Sequence, residues 1–295
     1  MYRLLERYKI TSLHIMVLIL GLTGVFGKLI ELNSLNLVWY RMLIAFIALF
    51  IFLLYKGNLL SINKKDFINL LGIGSIVTFH WIFFFASIKE SSVSVAVVCL
   101  STSSLFSAFI EPIFFKRKII KYEVIMSIIV IFAIIYILGM DKGSKIGYVY
   151  GIISAFLGTI FTLFNAKYLQ RVEASKITMI EMLSGVIIIP LIFIINKDIS
   201  INNLIEFPSF NDSFLLIILG VLCTAMVFVW MTEIMRHVSP YSLIMAINLE
   251  PIYSIILALI IFKEEEYMSG SFYLGAIVII SVVFLESYFK NRLSK

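Results

Sequence analysis

The sequence predicts an all-α polytopic membrane protein with ten transmembrane helices arranged as two inverted five-helix repeats. Three observations lead to this fold class: the composition is strongly apolar, the apolar residues form ten long runs, and charge is reversed between equivalent ends of the two halves. The 295-residue chain is 61% hydrophobic and 14% charged, with a mean hydropathy of +1.04. Soluble domains are about 45–50% apolar and about 25% charged. The composition therefore argues against a soluble enzyme, a disordered chain and a disulfide-stapled module.

The apolar runs have the length of helices that cross a bilayer, which needs about 20 residues. They lack the apolar–polar alternation of membrane β-strands. The first run follows Arg3, Arg7 and Lys9, as a signal peptide would, but it is too long for one and no small-residue cleavage site follows it. The predicted spans are residues 11–31, 36–55, 67–88, 91–114, 121–139, 146–166, 176–195, 213–235, 240–262 and 269–288.

The basic residues predict the orientation of the chain. With the N-terminus in the cytoplasm, 17 of the 24 Lys and Arg residues fall in cytoplasmic segments and 5 fall outside, while Lys28 and Arg41 remain within spans. Short cytoplasmic loops are enriched in Lys and Arg, so we expect both termini in the cytoplasm. The formal net charge of +6 is thus an orientation signal, and no nucleic-acid partner is expected.

The two halves of the chain are weakly similar to each other. Each half holds five spans, and because five is odd the second copy must enter the membrane in the opposite direction. Two such units form a recurrent transporter plan with the site near the midplane between them. We expect the first repeat in residues 1–140 and the second in 141–295. The similar segments are 24–31 with 163–170, 41–45 with 181–185, and 113–118 with 260–265.

The charges at the ends of the repeats support this inversion. The fourth span ends in the basic residues 116–118, and the ninth span ends in the acidic residues 264–266. An insertion near residues 197–212 explains the larger offset of this last pair of segments. Equivalent helices therefore end on opposite sides of the membrane.

Four segments carry a family resemblance. They are the Gly21, Gly24 and Gly27 series, WYRMLIAF at 39–46, HWIFFFASIKESSVSVAVVCLS at 80–101, and NLEPIYSIILALIIFKEE at 248–265. With the ten-span plan, they resemble the EamA-type transporters of the drug/metabolite transporter superfamily. One departure is Lys116–Arg117, where many members end the fourth helix with Gly-Glu. The resemblance implies a small-metabolite carrier, usually an exporter, in the bacterial inner membrane.

Glu250 is the deepest carboxylate in the predicted spans, about ten residues from either end of the ninth. Pro251 follows it and cannot donate a backbone hydrogen bond, so a helix kink is expected there. Together with Asn248, a carboxylate at a kink could bind an amine or carry a coupling proton. The alternative is a structural acid that pairs with Lys28 or Arg41. Burying an acid within a membrane costs free energy, so a functional role for Glu250 is the favoured interpretation.

Further candidates lie in the second, third and seventh spans. His80 can exchange a proton near neutral pH, and Trp81 can stack on a substrate or cation; packing is the alternative for both. Arg41 and Glu181 occupy equivalent positions of opposite charge in the two repeats, which would suit gates at the two mouths. Because Arg41 follows Trp39 and Tyr40, an interfacial anchor that extends outward is the favoured interpretation for it.

The fourth span offers hydroxyl groups at mid-depth opposite the ninth. Ser101, Ser103 and Ser104 are therefore candidate substrate ligands, with Asn165 and Trp230 as weaker ones. Glu111 lies only five residues before Lys116, so we expect a salt bridge at the cytoplasmic end rather than a site.

The predicted function is a secondary transporter that exports a small organic metabolite, such as an amino acid or a related compound, by alternating access. Nucleotide-binding and hydrolase motifs are absent, so neither ATP-driven pumping nor catalysis is expected. No metal or other cofactor is expected. A proton is the candidate coupling ion, on Glu250 or His80. The alternatives are an amphiphile flippase of the same fold and a membrane enzyme acting on lipids.

Overall fold

The computed structural model describes residues 9–57, 62–140, 144–195, 206–263 and 267–293, and these residues form helices joined by short connections. A π-helical turn, Val221–Met226, joins α9 to α10. The α-helices are α1 (Lys9–Leu29), α2 (Ser34–Tyr55), α3 (Lys64–Glu90), α4 (Val93–Leu100), α5 (Ser103–Phe115), α6 (Lys121–Met140), α7 (Lys145–Tyr168), α8 (Ala174–Ile195), α9 (Phe210–Gly220), α10 (Val227–Ile234), α11 (Pro240–Ile247), α12 (Glu250–Phe262) and α13 (Gly270–Leu293).

Seven helical segments of the described residues are long and apolar enough to cross a membrane. Two shorter apolar helices are Glu250–Phe262 and Gly270–Val282. The all-α, polytopic part of the predicted fold class is thereby confirmed. The seven segments are Thr11–Leu29, Ser34–Tyr55, Lys64–Glu90, Val93–Phe115, Lys145–Tyr168, Ala174–Ile195 and Phe210–Ile234.

Apolar side chains cover the outer surface, and polar groups lie between the helices. Phe132, Ile195 and Ile260 are among many large apolar side chains that are exposed. Buried hydroxyl groups instead bond across helix contacts: Ser87 Oγ donates to the Gly147 carbonyl at 2.7 Å. A bilayer offers no water to such groups. The arrangement therefore suits a protein surrounded by lipid, with its polar side chains directed inward.

Two helical segments are interrupted partway along their length. Residues 101–102 separate α4 from α5, and residues 248–249 separate α11 from α12. Both segments also end in a residue with positive φ, Lys116 at 52° and Lys263 at 50°; these are the non-glycine residues with positive φ in the described ranges. The alignment of IFFKRK with IIFKEE superposes both the interruptions and these two residues. Equivalent segments of the two halves thus share their irregular features.

Helices of the first half pack on helices of the second. α1 packs on α12, α2 on α8, α3 on α7 and α8, and α4 on α7, while α6 packs on α13. Glycines allow some of these contacts: a Cβ atom at Gly74 of α3 would lie 2.6 Å from the Cα atom of Glu181 in α8. The interface between the halves is therefore the interior of the molecule.

Two features that predicted the inversion lie wholly or mostly outside the described residues. They are the acidic residues 264–266 and most of the insertion near 197–212.

Candidate functional site

A cavity lies between the two halves, where both interrupted segments meet the other helices. The volume open to water-sized molecules is about 80 Å³, enough to hold several water molecules. Its apolar walls include Trp81, Phe84, Phe161, Phe228 and Met231. The polar residues that line it are Thr23, Arg41, His80, Ser103, Thr162, Asn248 and Glu250.

Glu250 and Asn248 border this cavity at the interruption between α11 and α12. The N–H of Leu249 bonds to the carbonyl of Ala246, three residues earlier, at 3.1 Å, so the backbone tightens before the helix resumes. Pro251 has no N–H to continue the α-helical pattern across this point. Glu250 is buried in the first turn of α12, where the helix dipole favours a negative charge. The interruption thus brings a carboxyl group and an amide to the wall of the same cavity.

Arg41 is buried, with 1% of its surface exposed, so its prediction as an outward-extending anchor is wrong. Its Nε donates to Thr224 Oγ1 at 2.6 Å, and its Nη2 donates to the Cys223 carbonyl at 3.4 Å. The guanidinium carbon lies 4.0 Å from the centroid of the Trp81 ring. Stacking and charge-assisted hydrogen bonds offset the cost of burying this cation. Trp39 and Tyr40 precede it, but its own side chain turns into the protein.

Of the two bases considered as partners of Glu250, Arg41 is the one that interacts with it electrostatically. The two side chains line the same cavity and interact electrostatically. Lys28, the other base considered for Glu250, lies over the ring of Phe262 at 4.5 Å. Nη1 of Arg41 has no hydrogen-bond partner among the described residues. The cavity therefore contains one cation and one acid, and the cation keeps a free donor.

His80 is held by α7. Its Nδ1 lies 2.8 Å from the Ser154 carbonyl, and Ser154 Oγ donates to the His80 carbonyl at 2.9 Å. Because a carbonyl oxygen only accepts hydrogen bonds, Nδ1 carries a proton and the Nε2 atom of a neutral ring is an acceptor. A Cβ atom at Gly158 would lie 3.2 Å from this ring. The absence of a side chain at this glycine therefore makes room for the His80 ring at the cavity wall.

Four aromatic rings form a continuous wall. Trp81 meets Phe228 edge-on with centroids 4.8 Å apart, Phe228 stacks on Phe161 at 5.8 Å, and Phe161 meets His80 at 5.3 Å. The wall joins α3, α7 and α10. It gives an apolar group of a ligand a rigid surface opposite the charged residues.

The structure brings only one of the three predicted serines into the cavity. Ser103 lines it, whereas Ser104 Oγ donates to the carbonyl of Ser101 at 3.0 Å. Ser101 and Ser104 are buried away from the cavity lining. Consecutive helical residues point about 100° apart, so these hydroxyl groups cannot all face one ligand.

Asn165, Trp230 and Glu181 also lie outside the cavity lining. Trp230 Nε1 donates to Ser12 Oγ at 3.1 Å, so its indole joins α10 to α1. Asn165 and Glu181 are both fully buried, and their side chains face each other. The predicted mouth gate at Glu181 is thus a closed interior site in this conformation.

Several cavity residues carried no signal in the sequence. Phe161 and Phe228 are 2 of 26 phenylalanines, and nothing in their neighbourhood distinguishes them. Thr23 lies between two glycines of the series at positions 21, 24 and 27, and this spacing could have placed it at a helix contact. Thr162 lies one turn before Asn165 and could have been found with it. In the described part of the chain, no three His, Cys, Asp or Glu side chains are grouped to hold a metal ion.

Comparison with known proteins identifies the family. The model of the EamA-like transporter family matches residues 8–139 and again 145–288. A relative from Bacillus subtilis (strain 168), YxxF, described as an uncharacterized transporter, is 26% identical over 252 residues, covering 82% of this chain and 78% of its own. A crystal structure with 14% identity shares the fold with a TM-score of 0.69 over 97% of both chains. The protein is a multi-pass membrane transporter, and it belongs to the EamA-like transporter family.

Proposed function

We propose that this transporter is a secondary carrier that exports a small zwitterionic metabolite, such as an amino acid, by alternating access. The observation that carries the proposal is the pair of opposite charges, Arg41 and Glu250, in one cavity between the two halves of the chain. We place the carrier in the bacterial cytoplasmic membrane with both termini in the cytoplasm, because the basic residues are concentrated on that side.

Alternating access is supported by the equivalence of the two halves. The family model matches the chain twice, and the interruptions at 101–102 and 248–249 fall at equivalent positions. Discontinuous helices at the contact between inverted repeats are typical of transporter binding sites. Besides the seven spans, α6, the α11–α12 segment and α13 complete the ten-span plan. The proposed repeats are residues 1–140 and 141–295.

The zwitterion is supported by the distribution of charge and apolar surface. A ligand carboxylate can accept from the free Nη1 atom of Arg41, and a ligand ammonium group can donate to Glu250 and to the side-chain oxygen of Asn248. The rings of Trp81 and Phe161 then face the remainder of the ligand. A ligand with a single charge would leave the opposite cavity charge unpaired, and an unpaired buried charge is costly.

The experiment has two steps. Metabolites in the medium of overexpressing and deletion cells are compared first, and uptake of labelled amino acids by proteoliposomes follows. We expect at least one amino acid to accumulate in the medium and to exchange across the vesicle membrane. The Glu250→Gln variant should lose this exchange. Glu173→Gln is the matched control, because Glu173 pairs with Lys56 at 3.6 Å on a partly exposed surface. Lipid scrambling without amino-acid exchange would instead favour the flippase.

A further inference from the structure

Glu181 is a second buried acid, separate from the cavity. Its side chain is fully buried in α8, and neither carboxyl oxygen has a hydrogen-bond partner among the described residues. α3 approaches closely at Gly74, where an added Cβ atom would lie 2.7 Å from the Glu181 carbonyl. A charged carboxylate in such an environment would be removed from bulk solvent and would have no cation bonded to it among the described residues. Because that is costly inside a membrane, the group must hold a proton in this conformation.

Asn165 is the group that faces this acid. Its amide side chain is fully buried and also lacks a hydrogen bond of normal geometry to any described residue. From α7, this amide lies near enough to the Glu181 carboxyl group to interact with it. Thr178, three residues before Glu181 on α8, adds a third buried polar atom without a partner. Buried polar groups normally have hydrogen-bond partners, so the unsatisfied side chains of Glu181, Asn165 and Thr178 indicate groups that another conformation completes.

On the helices that pack against α8, which are α2, α3 and α10, His80 and the buried charged side chains are engaged elsewhere. Arg41 donates to Thr224, His80 contacts Ser154, Asp66 pairs with Arg171, and Glu233 pairs with Arg236. Lys176, on α8 itself, has a partner of its own. The side chain that interacts with the Glu181 carboxyl group is therefore the neutral amide of Asn165. This environment differs from that of Glu250, which faces Arg41.

The site lies next to the cavity, toward the cytoplasmic end of the proposed topology. Asn165 is three residues beyond Thr162, a cavity-lining residue of α7, or about 4.5 Å along the helix axis. Movement of α7 or α8 that opens the cavity to the cytoplasm would therefore expose this site to water.

We propose that Glu181 and Asn165 form a proton-binding site, distinct from the substrate cavity, that controls opening toward the cytoplasm. The Glu181 carboxyl group holds its proton while the inner half is closed. On opening, water reaches the carboxyl group, its O–H bond breaks, and the proton passes to cytoplasmic water. Closing requires the reverse transfer. This inference rests on the proposed carrier function for its transport consequence but not for the protonation itself.

The protonation is tested on the ligand-free protein by infrared spectroscopy. The parent should show a carboxylic-acid C=O band that Glu181→Gln lacks and that Asn165→Leu shifts in frequency. Glu181→Gln should fold, because the amide has nearly the shape of the protonated acid; Glu181→Asp provides a second titratable variant if it does not. Glu173→Gln should leave the band unchanged. Identical spectra for the parent and Glu181→Gln would overturn the proposal.

The control of opening is tested by exchange of labelled amino acids in proteoliposomes at varied cytoplasmic-side pH. One proton released on opening predicts a rate that rises with this pH by at most tenfold per unit. Glu181→Gln should be slow and independent of pH, whereas Glu173→Gln should follow the parent. A pH-dependent Glu181→Gln variant would overturn the control of opening. If the parent exchanges no amino acid, the carrier proposal fails, and the infrared result alone decides whether the proton site exists.

Discussion

Nε of Arg41 donates a 2.6 Å hydrogen bond to Oγ1 of Thr224, which lies in the π-helical turn Val221–Met226. The Thr224 hydroxyl donates in turn to the carbonyl of Leu219, five residues earlier, at 2.7 Å. π-helical turns are frequent at functional sites. Here the turn is hydrogen-bonded directly to the cation of the cavity. A ligand that displaces the Arg41 side chain would therefore also displace the segment between α9 and α10.

The contact between Arg41 and Thr224 predicts a large effect of a small substitution. Thr224→Val keeps the shape of the side chain but removes the acceptor, so the folded state should lose about 1.5–3 kcal/mol, the value of a hydrogen bond to a charged group. Thermal unfolding in detergent measures the loss. Thr232→Val is the matched control, because the buried Thr232 hydroxyl has no partner among the described residues. An equal loss in both variants would contradict the assigned role of Thr224.

Glycines of α3 provide a matched pair two residues apart. A Cβ atom at Gly74 would lie 2.6 Å from the Glu181 backbone, whereas a Cβ atom at Gly72 would meet nothing within 4 Å. Gly74→Ala should therefore cost about 1–3 kcal/mol through overpacking. Gly72→Ala should be neutral or should stabilise the helix by up to about 1 kcal/mol. Melting temperatures of the two variants test the close packing of α3 on α8. Equal changes in melting temperature for both variants would refute it.

Arg117 bridges two buried acids at the end of α5. It contacts Glu111 at 3.3 Å and Glu123 at 2.9 Å, so the salt bridge predicted for Glu111 exists, with Arg117 rather than Lys116. Arg117→Gln should cost about 3 kcal/mol, because it leaves buried carboxylates without this cation.

Thermal unfolding of Arg117→Gln in detergent measures this loss. Arg236→Gln is the control, because its ion pair with Glu233 at 2.8 Å is more exposed and should contribute less than about 1 kcal/mol. An equal loss of stability in both variants would contradict the role assigned to Arg117.

Lys116 adopts a backbone conformation that suits glycine. Its φ of 52° and ψ of 36° are left-handed, and the strain for a side chain is about 1 kcal/mol or more. Lys116→Gly should raise the thermal stability by a similar amount. Lys56→Gly, at the end of α2 with a φ of −73°, should give no gain. A Lys116→Gly variant less stable than the parent would show that the side chain contributes more than the strain costs.

The sequence predicted the helical segments well, because long apolar runs separated by polar loops are a strong signal. It also singled out Glu250 and Asn248, because an acid beside a proline in an apolar run is rare. The burial of Arg41 was missed, since two preceding aromatic residues are as typical of an interface anchor as of a cavity wall. The approach of Asn165 to Glu181 depends on the packing of both α7 and α8 against α3, which no local pattern encodes.

The central claim is that Arg41 and Glu250 together bind a zwitterion. The most direct measurement is competition against exchange of a transported amino acid by its N-acetyl and carboxamide analogues. The N-acetyl form lacks the ammonium group for Glu250, and the carboxamide lacks the carboxylate for Arg41. We predict that both analogues compete at least tenfold more weakly than the amino acid, as a loss of about 1.4 kcal/mol or more requires. Equal competition by either analogue would contradict the account.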